Sequence, residues 1–144
     1  MNPVAELHML KLDLEKGTIM ANELAKFAEW TFFQEVQPTK DVMDMLLQGE
    51  QVYAAFKTIR DIAVFTSYRL IVRDSQGLTG SKIETYSLPW KSVDMWSIEN
   101  AGMLDFNSEV ELWTRAGHVK INLKKGADVN RINGLLTAFI LGAR

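Results

Sequence analysis

From Glu50 onward, apolar and polar residues alternate in short runs, and turn residues recur about every 8–12 positions, which predicts an all-β section. Strands are expected over 50–58, 61–66, 68–74, 82–88, 93–99, 107–115 and 118–124. In the last pair, Ala116-Gly117 suits a two-residue hairpin turn. That turn sets Thr114 opposite Val119, Leu112 opposite Ile121 and Val110 opposite Leu123 on one face. The other face then pairs Glu109 with Lys124 and Trp113 with Lys120. After Gly126 the period changes to that of a helix. Asp128 caps it, Val129, Ile132, Leu136 and Phe139 form its stripe, Leu135 and Ile140 flank the stripe, and Gly142 ends it. One amphipathic helix of this size fills the opening of a curled meander.

The first 48 residues read as helical. Over 3–16, Val4, Leu7, Leu10 and Leu14 fit a helical face, while Leu10, Leu12 and Leu14 also alternate with Lys11, Asp13 and Glu15; both readings stand. Asn22 can cap a second helix with Leu24, Phe27, Ala28 and Thr31 on one stripe, widened by Trp30, Phe32, Phe33 and Val36 and stopped by Pro38. Thr39 or Asp41 can cap a short third helix, with Val42, Met45 and Leu46 facing inward and Gly49 closing it. The expected organisation is an N-terminal helical extension over 1–36 and a domain over 37–144.

A length of 144 residues suits one α+β domain. The absence of cysteine removes disulfides, thiolate nucleophiles and Cys-based zinc sites together. No basic stretch followed by an apolar run opens the chain, and the run from Leu135 to Leu141 is short of the roughly 20 residues that cross a bilayer. A cytoplasmic protein is expected. A net charge of −2 argues against a dedicated nucleic-acid binder. The charge is unevenly spread, however: −4 over residues 1–48 and +2 over the remainder.

Chemistry-bearing clusters are few. His8 and His118 are the two histidines, and no phosphate-loop, dinucleotide or nucleophile-elbow motif occurs, so neither an enzyme nor a cofactor or metal site is expected. His118, beside a tight turn, reads as a solvated strand residue. The loop Asp74–Ser81, with Gly77 and Gly80, is the most deliberate segment. A meander gathers Lys57, Arg60, Arg73 and Lys82 near it, offset by Asp61 and Asp74, as a candidate anion-binding rim. An ordinary solvated rim with local ion pairs accounts for it more simply. The second candidate is apolar. Trp96 and Ile98 fall on the face opposite Val93 and Met95, and Met103, Leu104 and Phe106 crowd the following connection. Outward aromatic and aliphatic groups suit a protein interface, and cover by the N-terminal helices suits them equally.

Seven antiparallel strands followed by a capping helix resemble the pleckstrin-homology (PH) superfold, a partly open barrel. Residues 49–141 are similar, more narrowly, to the bacterial pleckstrin-homology domain family. The likeness lies in Gly49-Glu50, Ile59-Arg60-Asp61, Phe65-Thr66, Tyr68-Arg69-Leu70, the run Asp74 to Gly80, Leu88-Pro89-Trp90, Glu99 to Gly102, Glu109 to Trp113 and Lys124 to Asp128. Trp90 stands where the family more often has tyrosine, and Asn100 where it has threonine. The resemblance implies a domain without established biochemical activity, disposed to form ring-like homo-oligomers. It does not imply phosphoinositide binding, because Lys57 and Arg60 are followed at once by Asp61 and the spaced basic pair is missing. The sequence therefore points to a non-enzymatic, self-assembling scaffold or protein-interaction module. The alternative is a peripheral binder of anionic lipid or phosphate headgroups.

Overall fold

The runs Ile62-Ala63-Val64-Phe65 and Leu70-Ile71-Val72 are apolar at consecutive positions, a composition that suits strands covered on both faces. The computed structural model describes residues 2–9, 11, 28–76, 80–100 and 107–142, and it shows that cover. Strands β1 (Ala28–Glu35), β2 (Val52–Thr58), β3 (Asp61–Thr66), β4 (Arg69–Gln76), β5 (Lys82–Pro89), β6 (Val93–Glu99), β7 (Ser108–Thr114) and β8 (Gly117–Leu123) form one sheet in the order β5-β4-β3-β2-β1-β8-β7-β6. Its two edge strands, β5 and β6, are consecutive in the chain and joined by a single 3-10 turn, Trp90–Ser92. A link that short obliges the sheet to curl. Helix α1 spans residues 3–9, α2 is Lys40–Met43 and α3 is Val129–Leu141.

Alternate residues of β1–β4, among them Phe32, Phe56, Phe65 and Val72, point into the curl and meet Leu112 and Ile121 from the other half. Ile132, Leu136 and Ile140 of α3 close this core, as the helical stripe predicts, with Val129 and Phe139 half-buried beside them. Trp90 marks the corner between β5 and β6. It stacks on Phe65 and on Phe139 with centroids 5.7 and 5.5 Å apart, and its indole N–H donates to the Thr66 carbonyl at 2.8 Å. Asp128 caps α3 by accepting from the Asn130 and Arg131 amides at 3.0 and 3.2 Å. The opposite face of β2–β4 buries Ala55, Ile62, Val64 and Ile71 under Val42 of α2, with Val36 and Leu46 beside it. That second layer explains the consecutive apolar residues.

Three expectations change. Residues 28–35, read as part of a helix within the extension, form β1. This strand lies antiparallel to β2 and parallel to β8, with Phe32 opposite Thr58 on one side and Leu123 on the other. The Trp-Thr-Phe-Phe run is strand-forming, and two neighbouring edges satisfy its backbone, which outweighs a helical spacing of apolar residues. The sheet thus has eight strands rather than seven and is mixed rather than wholly antiparallel. Residues 3–9 and 11 are helical, which removes the strand reading there; the predicted cap at Asn22 and residues 12–27 lie outside the described residues. In the third helix, Val42 is buried as expected. The helix ends at Met43, however, so Met45 is exposed instead of inward.

The hairpin register differs by two positions. Thr114 pairs with Gly117, Leu112 with Val119 and Val110 with Ile121, so the turn residues are Arg115 and Ala116. The Thr114 hydroxyl accepts from the amides of Ala116 and Gly117, both at 3.1 Å, which tightens the turn one step earlier. Gly117 at φ 149° meets the backbone demand. A shift of two preserves each face, so the apolar side stays buried. The polar side instead pairs Glu111 with Lys120 and Trp113 with His118.

Candidate functional site

The four cations proposed for an anion rim do not converge. Lys57 and Arg73 share the outer face in one cross-strand row through Ile62. The Arg73 guanidinium is nearly buried there, 3.3 Å from Asp41 of α2 and 3.9 Å from Asp61, so it fastens α2 to the sheet. Arg60 belongs to the β2–β3 turn and pairs with Asp74 at 2.8 Å. Lys82 is exposed at the start of β5. Ser75 donates to Asp61 at 2.9 Å, while residues 77–79 of the glycine loop lie outside the described residues.

The apolar candidates also move. A bulge between Val93 and Met95 shifts the alternation of β6, so Val93, Trp96 and Ile98 all pack on the core and Met95 takes the exposed side. The expected outward placement of Trp96 and Ile98 is therefore overturned. Trp96 is held by α3, its indole N–H donating to Asn133 Oδ1 at 3.1 Å. Met103, Leu104 and Phe106 lie outside the described residues. His118, expected to be solvated, is half-buried: it stacks on Trp113 at 4.9 Å and its Nε2 lies 2.8 Å from Glu111. Glu109 is likewise engaged, by Lys120 at 3.0 Å. Among the described residues, no group of three or more histidines and carboxylates could hold a metal ion.

A different site is built around Glu50. Gly49 at φ +85° turns the chain so that Glu50 enters β2 with its carboxylate shut off from solvent. Arg69 at the start of β4 clamps it through Nε at 2.9 Å and Nη2 at 3.1 Å; Thr66 donates to it at 2.6 Å and the Leu47 amide at 3.0 Å. Burial pushes the Glu50 carboxyl up. The hydrogen bonds from Arg69, Thr66 and Leu47, with the Arg69 charge, outweigh that and hold it below the usual carboxylate range. Arg69 also donates to the Met45 carbonyl at 3.0 Å and to Ser87 at 3.0 Å. This network floors a groove of about 330 Å3 lined by Met45, Leu47, Tyr68 and Pro89. Leu47 is 66% exposed and Tyr68 52%, so the walls are apolar side chains offered to solvent. Sequence reading missed the pairing. Its one signal, a glycine followed by a carboxylate directly before an apolar strand, names no partner.

With this geometry in hand, the chain can be set beside known proteins. Residues 19–140 match the family model described as the bacterial PH domain. The chain is 41% identical over 102 residues to the uncharacterized protein YjqA of Bacillus subtilis strain 168, covering 69% of this chain and 82% of that protein. It is similar, with 34% identity and a TM-score of 0.69, to the crystal structure of a DUF1696-family protein with a pleckstrin-homology domain from Shewanella loihica PV-4. That alignment covers 74% of this chain and 96% of the other. A pleckstrin-homology domain from Shewanella amazonensis SB2B aligns with 36% identity and a TM-score of 0.58, over 71% and 84% of the two chains. With its curled sheet, corner tryptophan and plugging helix, the chain belongs to the bacterial PH domain family.

Proposed function

We propose that this chain is a non-enzymatic, PH-like scaffold and protein-interaction module that self-assembles. The groove beside Glu50 and Arg69 supports this reading. Its apolar walls, Met45, Leu47 and Tyr68, stand on a floor of buried hydrogen bonds, so the surface is ordered before any partner arrives and little entropy is lost on docking. An apolar patch with a polar border is what protein contacts use. A headgroup-binding rim is the weaker reading, because Arg60 and Arg73 already face Asp74, Asp41 and Asp61.

Light scattering at micromolar concentration tests the proposal. The chain is expected to elute well above its 16.3 kDa monomer mass. The double variant Leu47→Asp, Tyr68→Asp is expected to shift toward monomer with its far-UV spectrum unchanged. A wild-type protein that stays monomeric overturns the self-assembly reading. Apolar contact also predicts that raised salt leaves the assembly intact, whereas headgroup binding would fall steeply with salt.

A further inference from the structure

We infer that the free edge of β5 takes a second copy of β5, antiparallel, with Ile83 facing the partner's Ile83. This rests on the self-assembly reading and names a contact surface separate from the groove. The two edges of the sheet are not equivalent. β6 is broken by its bulge and flanked by α3 through the Trp96–Asn133 hydrogen bond, two features that discourage strand addition. β5, by contrast, pairs with β4 at every position from Gln76–Lys82 to Arg69–Pro89 without a shift, and its outer side has no strand neighbour among the described residues. Residues 82–85 are exposed, and Pro89, the only proline of the strand, sits at its last position where it leaves the edge free to pair.

Charge selects the occupant and the register. Lys82 and Glu84 lie on one face of the strand, with Ile83, 49% exposed, on the other. Centring an antiparallel pair on Ile83 sets Lys82 opposite the partner's Glu84 and Glu84 opposite the partner's Lys82. Sliding the pair by two in either direction sets Lys82 against the partner's Lys82, or Glu84 against the partner's Glu84, which is unfavourable. A slide by one turns Ile83 to the wrong face. Glu84 accepts from Gln76 Nε2 at 3.0 Å and keeps lone pairs for a second donor. An edge lysine alone repels a second chain; with Glu84 two residues on, the same lysine becomes a selector for this one.

The chain has no cysteine, so a single introduced one reports on a single contact. In the full-length protein, Ile83→Cys is expected to give a disulfide-linked dimer under mild oxidation. Directly opposed residues in an antiparallel pair stand about 4.5–5.5 Å apart at Cα, within disulfide reach. Thr85→Cys is expected to give none, because the two cysteines would be offset by four residues, roughly 13 Å. Separately, Lys82→Glu is expected to weaken self-association about tenfold, and Lys82→Glu with Glu84→Lys to restore it. Equal crosslinking at the two positions, or an assembly indifferent to Lys82→Glu, overturns the edge contact while leaving self-assembly through the groove in place. A wild-type monomer overturns both.

Discussion

Arg69 grips Glu50 with two nitrogens across nineteen positions of sequence, tying the loop before β2 to the first residue of β4. Three segments depend on this one pair: the Met45–Leu47 wall through the Met45 carbonyl and Leu47 amide, the β3–β4 turn through Thr66, and β5 through Ser87. Both charges sit where water is largely excluded, so each needs the other.

Glu50→Ala is therefore expected to cost about 3–5 kcal/mol, the range for removing one partner of a buried ion pair. Urea unfolding measures it. Glu50→Gln should cost less, since the amide oxygen still accepts from one donor. A loss within ~0.5 kcal/mol for Glu50→Ala would show that the pair is no anchor.

The same carboxylate sets an acid limit. Its folded pKa lies below the ordinary value, so the stability it contributes is complete above the unfolded value, near 4.3, and is lost as pH falls from there through the lowered folded value. Melting temperature should fall across that window in the wild type. The fall should be shallower in Glu50→Gln, which has no proton to take up at this position.

Sequence reading found the seven strands from Glu50 and the α3 plug because each carries its own local signal: period-two runs bounded by turns, and an Asp128 cap ahead of a helical stripe. It failed at β1, where the decisive fact is non-local. Phe32 belongs in a strand only because β2 and β8 each offer it an unpaired edge, and no window of sequence contains both. Trp96 and Ile98 went astray for a smaller reason, one extra residue in a bulge, which inverts every later side chain of β6. The Glu50–Arg69 groove is non-local in the same way as β1. A buried carboxylate and its arginine are legible as a site only once the strands that carry them are neighbours.

β1 makes a sharp prediction about the N-terminal segment. Phe32 is fully buried, stacked on Phe56 at 5.8 Å and edge-on to Phe65 at 6.1 Å. Phe32→Ala should cost about 3–5 kcal/mol. A chain starting at residue 37 loses all of β1 and leaves facing edges on β2 and β8, so it should aggregate. A chain starting at residue 27 keeps β1 and should remain folded, as read by circular dichroism and amide exchange. Should the shorter chain fold as well as the longer one, β1 is an accessory and not part of the sheet's foundation.

Arg73 separates an anchoring role from a ligand-binding one. Its guanidinium is 10% exposed and faces carboxylates on α2 and β3. Arg73→Ala removes the partner of Asp61 and the tie to Asp41, and with it the hold on Val42 over the outer cluster. The expected outcome is a loss of about 1–3 kcal/mol in urea unfolding. Co-sedimentation with anionic vesicles at low salt should be unchanged from wild type. Asp41→Ala should cost less than Arg73→Ala, because Asp41 is mostly in solvent, where an ion pair contributes only ~0–1 kcal/mol. A variant that keeps full stability yet loses vesicle binding would reverse the assignment, since a guanidinium that lets go of its own carboxylates to hold a headgroup is a binding residue and not a brace.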